Sequence, residues 1–483
     1  MAAPSDRTGT APEIPSRFLP GVPYADLPEP KPLRHVLGPS VLLLAGAIGS
    51  GEYVLWPYIT SQVGLSLVWL VVIGIGTQYF LNMEIERYTL ATGETAVTGF
   101  TRLWKHWGWL FVIMTVVPWA WPGWATGGTT TLGFVLGFGS DAVPYVTIGV
   151  LVLIGLVLTA SPVVYRTVEK IQFFMVGLIV LFVAYAALVL LGLDGWAALG
   201  AGFVRVTEIP PAIAAIPAAT LLGAIAFAGA GGALNLVQSN WVRDKGLGMG
   251  ARLPKIVSPF TGEETAAAAT GYFFPRDEAN MDRWRRWWRV ADREQFVTFF
   301  VIGAITLLVF MALTFVTIGT GTDSESFDFI RQEGEALSAL QGPWLGTAFW
   351  LIGSVVLFST NLAVLDMVGR VTADVLKTGY LRDSTRWTES RIYFIVVWAE
   401  IVLGSVILLS GLSQPLILLV ISSSLNGVVM FVYSVLLIRL NRGVLPREIG
   451  LRGGRLWAIA WAVLFYGGFS LFTVYDQVVK LVG

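Results

Sequence analysis

Apolar stretches long enough to cross a lipid bilayer recur along this chain, and that feature excludes most folds. A spanning helix needs about 20 apolar residues, and stretches free of charge over at least that length run from Trp107 to Phe138, Ile171 to Leu193 and Gln295 to Thr322. Eleven spans can be placed, near 38–62, 65–83, 107–137, 142–160, 171–192, 214–241, 295–318, 345–368, 392–411, 415–438 and 456–475. The chain is read as an all-α integral membrane protein with about 11 transmembrane helices. Composition agrees, because 55% hydrophobic residues, 13% charged residues and 19 tryptophans suit lipid rather than water as the solvent.

Orientation follows from charge. With the N-terminus cytoplasmic, all Lys and Arg except Arg205, Arg331 and Lys480 fall in cytoplasmic segments, a strong positive-inside bias that an even number of spans would destroy. The expected location is the cell (inner) membrane, multi-pass, with the C-terminus outside. Residues 1–36 are rich in proline and polar residues and lack a hydrophobic signal region, which predicts a disordered cytoplasmic tail. Cysteine is absent, and His35 and His106 both fall at the cytoplasmic edge.

Several classes of chemistry lack their equipment. No G-x-x-x-x-G-K-[ST] phosphate loop occurs, and Gly246, Gly248 and Gly250 lie in a loop with no preceding strand. Without cysteine or a membrane-depth histidine, an intramembrane enzyme has only scattered carboxylates to work with, so an enzyme is not expected. No repeated filter motif points to a channel. No cofactor is expected. The expected partners are the lipid bilayer, a small ionic or organic substrate and a coupling proton or ion, and not nucleic acid.

Two helix interruptions stand out. Span one carries Gly49, Ser50, Gly51 and Glu52 near its middle, and span six carries Gly229, Ala230, Gly231 and Gly232 at comparable depth. Transporters built from inverted five-helix repeats bind solute where the first helix of each repeat is broken at the midplane. The competing reading is close helix packing by small residues.

Short motifs then accumulate in order: Gly38-Pro39 opening span one, Ala91-Thr92-Gly93 after span two, Arg166 with Glu169 before span five, Leu236 to Ser239 ending span six, and Leu419 to Ser422 in span ten. In this order the chain resembles a divergent member of the Nramp family (natural resistance-associated macrophage protein) of metal-ion transporters. The resemblance implies a LeuT-type inverted 5+5 repeat with broken helices 1 and 6. It divides the chain into the tail 1–36, a first repeat 37–193, a second repeat 194–440 with a cytoplasmic loop 242–294, and 441–483 as the eleventh helix and C-terminus. The site departs from the family: its D-P-G-N falls on Gly49-Ser50-Gly51-Glu52, its M-P-H-N falls near Phe227 to Ala230, its span-three acids give way to Pro118 to Trp124, and its span-nine arginine falls on Val396.

The resemblance implies secondary active transport of a divalent metal cation by alternating access. A site without Cys, Met or His favours a hard ion such as magnesium or manganese. Glu52 is the candidate metal ligand, with Gly49, Ser50, Gly51, Gly229, Ala230, Gly231, Trp121 and Asn235 as further substrate-binding candidates. Glu52, Glu400 and Asp366 are candidates for proton or ion coupling; for Asp366 an ion pair with Arg370, four residues on, is the competing reading. A small organic cation or neutral solute held between Glu52 and Trp119, Trp121 and Trp124 is the alternative substrate. A channel or sensor is the third. The stretch Arg283 to Arg289, mixing arginine with tryptophan, reads as a surface helix on anionic headgroups.

Overall fold

The computed structural model describes residues 10–160, 164–253, 270–321 and 326–482. Among these residues nine helices are long and apolar enough to cross a membrane: Pro39–Val63, Val68–Thr92, Ser140–Ala160, Val164–Leu190, Glu278–Thr317, Pro343–Tyr380, Glu389–Leu409, Pro415–Gly443 and Gly454–Lys480. They fall on nine of the expected spans, in order. The other two, three and six, are pairs of half-helices, Trp107–Trp119 with Gly123–Leu136 and Ala218–Ala226 with Gly232–Lys245. The described residues contain no β-strand, only two isolated bridges.

Each interruption has a local cause. In span three, expected to run unbroken over 107–137, Pro118 removes a backbone donor near the end of the first half and Pro122 begins the second half. In span six the chain leaves the helix at Phe227 and re-enters after Gly231, where Gly231 (φ 76°) and Gly232 (φ 53°) take backbone conformations that only glycine adopts cheaply. A short helix, Ile209–Ala215, meets the first half of span six at 108°.

Span one differs from the expected unwound break. Its middle, Ile48–Leu55, is a π-helix continuous with α-helix on both sides, and the Trp56 N–H donates to the Gly51 carbonyl. The α-helical bonds there are exchanged for longer ones rather than lost, so the interruption is a widened turn.

Burial orders the bundle. Span one is wholly enclosed, whereas only about a quarter of spans four and five is buried (28% and 22% of their apolar windows). Span one is therefore central, and spans four and five present most of their surface to lipid.

Two expectations are corrected at the end of the bundle that carries the N-terminal segment, here called the N-terminal face. The tail 1–36 is not disordered over its described part. Ala11, Ile14, Leu19, Val22 and Leu27 are buried, and the Arg102 guanidinium donates to the carbonyls of Pro15 (2.7 Å) and Pro20 (2.9 Å). Proline leaves carbonyls without competing amides, and these arginine bonds use them. The Arg283–Arg289 stretch is not a separate surface helix but the opening of the 40-residue helix Glu278–Thr317. Its tryptophans turn inward: Trp284 stacks on Phe274, and Trp287 Nε1 donates to the Pro28 carbonyl at 2.7 Å. The loop expected at 242–294 is described only at 242–253 and 270–294.

Candidate functional site

The interruptions of spans one and six meet backbone to backbone. A Cβ on Gly51 would lie 1.5 Å from the Phe227 carbonyl oxygen, and one on Gly49 would lie 2.0 Å from Thr360 Oγ1 of span eight. Only glycine permits these approaches. Thr360 Oγ1 donates to the carbonyls of Ala45 (3.1 Å) and Gly46 (3.3 Å), holding span eight to the turn before the π segment.

Breaking span six leaves peptide groups without helical partners, and buried groups of that kind must find others. One side chain spans the gap. Gln78 of span two donates from Nε2 to the Ala226 carbonyl (2.7 Å) and accepts at Oε1 from the Gly231 N–H (3.2 Å), joining the two half-helices. Asn426 of span ten accepts from the Ala233 N–H at 3.3 Å. Gly229 is pressed against Gln78 and the Phe299 ring, and Ala230 is fully buried beside it.

Asn235 extends this polar set. Its Nδ2 donates to Asn82 Oδ1 (2.6 Å) and Gln78 Oε1 (3.3 Å), and its own Oδ1 has no partner. One turn on, Gln238 Nε2 donates to Glu86 Oε2 at 3.1 Å. A ladder of amides and one acid therefore descends from the span-six interruption toward the N-terminal face, with Gln78, Asn82 and Glu86 at four-residue intervals on span two.

Glu52 sits in the π segment at 0% exposure; the Thr306 hydroxyl of span seven stands beside it, and among the described residues no close hydrogen bond reaches either carboxyl oxygen. It faces span seven, with Oε1 beside Gly303. No ion pair reaches it among the described residues. An unpaired charge in such a place is costly, which favours states in which a proton or another cation neutralises it. The Ser50 side chain lies outside the described residues.

The aromatic contacts differ from the expected set. Trp119 and Trp124 stack at 4.9 Å between centroids, and both rings meet Phe227 in the interruption, at 5.5 and 5.8 Å. Trp121 belongs to the turn between the halves of span three, is half-buried and makes no ring contact with Phe227.

The remaining two acids stand apart. Glu400 is buried on span nine, and among the described residues its Oε1 has no hydrogen-bond partner. Asp366 is fully engaged, accepting from Arg370 Nε (2.7 Å), Trp241 Nε1 (3.0 Å) and the Tyr393 hydroxyl (2.8 Å). Arg370 also pairs with Asp244, and Arg243 joins Asp244, Asp374 (2.6 Å) and Glu389 (2.7 Å). This buried lattice ties spans six, eight and nine together at the N-terminal face.

The structure thus brings Gly49, Gly51, Gly229, Ala230, Gly231 and Asn235 into one region, with Glu52 on its span-seven side and Trp121, Glu400 and Asp366 elsewhere. Among the described residues no three His, Cys, Asp or Glu side chains group to hold a metal. A cation here would draw on one carboxylate with backbone and amide oxygens, a set suited to a hard ion. Gln78, Asn82 and Asn426 escaped the sequence reading, although the row Gln78, Asn82 and Glu86, four apart on span two, is a visible signal.

Comparison with known proteins gives a consistent picture. The family model for natural resistance-associated macrophage protein-like proteins matches residues 41–476. No curated protein matches the chain by sequence. A crystal structure of the Eremococcus coleocola manganese transporter in complex with an aromatic bis-isothiourea compound superimposes with a TM-score of 0.67 at 12% identity, over 97% of this chain and 92% of that one. The nucleobase-cation-symport-1 family transporter MHP1, closed with bromovinylhydantoin bound, gives 0.52 at 12% identity, covering 96% of each chain. MhsT in complex with L-phenylalanine gives 0.53 at 12%, over 91% of this chain and 98% of that one. These likenesses show the LeuT-type fold.

Proposed function

The chain belongs to the Nramp family, whose members are multi-pass membrane transporters and not enzymes, and from that premise we propose that it carries a hard divalent cation, magnesium or manganese, by alternating access. One observation carries the choice of a cation: Glu52, a buried carboxyl with no ion-pair partner among the described residues, lies in the π segment whose Gly51 abuts the Phe227 carbonyl. Its carboxylate is the hard oxygen such an ion takes, and the Phe227 carbonyl and Asn235 Oδ1 at the interruption are neutral oxygens of the same kind. The missing methionine and histidine make soft metals poorer substrates. In this reading the N-terminal face is cytoplasmic, the membrane is the cell membrane, and a proton or second ion drives uptake.

A second substrate class is favoured by a specific contact. The Trp119–Trp124 stack lies against Phe227 at the interruption, and an aromatic face attracts an organic ammonium ion.

Uptake into proteoliposomes separates the two. Saturable uptake of manganese or magnesium, with affinity unchanged within a few-fold in Trp119→Leu, is the expected result. Uptake of an organic ammonium ion that loses affinity up to about 30-fold in Trp119→Leu, the equivalent of about 0.5–2 kcal/mol of cation-π attraction, would replace the metal reading.

A further inference from the structure

We propose that Glu333 is a proton-binding site of the carrier, loaded from the side of the membrane opposite the N-terminal face and tied through span seven to Glu52. Glu333 lies on the helix Asp328–Gln341, which links spans seven and eight at that side. This helix turns Phe329, Ile330 and Leu337 inward and leaves Arg331 and Glu335 exposed. Glu333 goes in with the apolar residues, at 2% exposure. The Thr314 hydroxyl of span seven stands 3.0 Å from its Oε2, and its Oε1 has no hydrogen-bond partner among the described residues.

The contact accounts for a proton. Thr314 has one hydroxyl hydrogen and two acceptors, the Phe310 carbonyl at 3.1 Å and Glu333 at 3.0 Å. A proton on the carboxyl makes both contacts hydrogen bonds, with Thr314 donating to the carbonyl and accepting from Glu333; without it one acceptor goes unsatisfied. No cation substitutes for that proton among the described residues. Arg331 is paired with Asp328 (3.4 Å) on the outer side of the same helix. The segments of spans three, seven and eight packed against the helix, 123–136, 303–317 and 343–365, carry no acidic, basic or phenolic side chain. The titratable groups facing it from other elements are phenols, which are neutral near pH 7: Tyr58, whose ring meets Phe329 at 5.8 Å, Tyr185, which donates to Gln341, and Tyr53, whose hydroxyl donates to the Phe349 carbonyl at 3.4 Å. Burial pushes the Glu333 carboxyl up to about 8, despite the Thr314 contact, so the group holds its proton at neutral pH and gives it up just above.

Span seven carries the link to the interruption. Gly303, which Glu52 Oε1 lies beside, and Thr314 are both on the helix Gly303–Thr317, and their spacing is about three turns, about 16 Å along one face. Phe310 stands on that face between them and meets Tyr53, the neighbour of Glu52, edge to face at 5.8 Å. Glu52 and Glu333 therefore bear on one face of one helix. An ionised Glu333 would be an unpaired charge in this dry contact, so loss of the proton favours release of the helix Asp328–Gln341 from span seven. The role of this proton in driving uptake rests on the proposed function; the proton site stands without it.

Infrared difference spectra of the reconstituted chain, titrated from about pH 6 to about pH 10, test the site. The native protein should show a protonated-carboxyl C=O band that disappears as pH rises through about 8. Glu333→Gln should lack that band, and Thr314→Val, which removes a hydrogen bond, should move it to higher frequency. Glu333→Gln keeps the shape and neutrality of the protonated acid, so it should unfold no earlier than the native chain. A titrating band that Glu333→Gln leaves in place, or no such band in the native spectrum, overturns the proposal; a band that Thr314→Val leaves unmoved overturns the tie to span seven. In proteoliposomes, manganese uptake by the native chain should rise with outside acid and uptake by Glu333→Gln should not, and a rise that persists in Glu333→Gln overturns coupling through this group. A band that Glu333→Gln removes, in a native chain that takes up no manganese, upholds the proton site and removes the proposed function instead.

Discussion

Gly51 shows how little room the meeting of the two interruptions leaves. Its missing side chain lets span one lie against the Phe227 carbonyl, so Gly51→Ala must push spans one and six apart. Reconstituted Gly51→Ala protein should insert and purify but show no uptake, and native uptake rates would remove the contact from the mechanism. Gln78 is the complementary case, because it satisfies one orphan carbonyl and one orphan amide at once. Gln78→Leu strands both, at about 1–3 kcal/mol each. Its thermal midpoint in detergent should fall measurably below that of the native chain, while an unchanged midpoint would mean that other groups cap the break. The glycines of both interruptions were legible in the sequence, since helix-breaking residues at midplane depth have few other uses. Gln78 was missed, although it begins the row Gln78, Asn82 and Glu86 on span two, because such a row does not say which backbone groups its first amide caps.

At the level of elements, apolar runs located the nine spans that form single membrane-length helices among the described residues, and the errors arose where a span is broken or where charge is buried by pairing. Span two was expected near 65–83, yet the helix continues through Glu84, Glu86 and Arg87 to Thr92, with Glu84 and Arg87 paired at 2.7 Å. The N-terminal segment looked disordered because it is rich in proline and polar residues. Its anchor is Arg102, paired with Glu94 at 2.5 Å between span two and the short helix Ala96–Leu103. Burial pushes the Glu94 carboxyl up, but the Arg102 guanidinium, the Gly271 N–H and the Tyr88 hydroxyl outweigh it and hold the group below the usual carboxylate range. A carboxyl depressed on folding contributes stability above its unfolded pKa and loses it as pH falls through the folded value. Glu94→Gln should therefore cost about 3–5 kcal/mol near neutrality. The gap between native and variant unfolding temperatures should narrow below about pH 4, and a gap that is constant with pH would contradict the pairing.

Across the whole molecule, orientation and substrate remain the two claims to test. The chain has no cysteine, so single cysteines report cleanly on sidedness. Ser140 and Thr385 are exposed at opposite ends of the bundle. In intact cells an impermeant thiol reagent should label Ser140→Cys and spare Thr385→Cys, and the reverse pattern would invert the molecule. The buried lattice of Arg370, Asp244, Arg243 and Asp374 ties spans six and eight together at the N-terminal face. The central claim is that Glu52 supplies the charge that selects a cation. The most direct test is manganese uptake by proteoliposomes carrying native or Glu52→Gln protein, which differ by one charge and almost no volume. Loss of a charged partner in a dry site costs about 2–5 kcal/mol, so uptake by Glu52→Gln should fall by at least about 30-fold. Native uptake by Glu52→Gln would contradict the account.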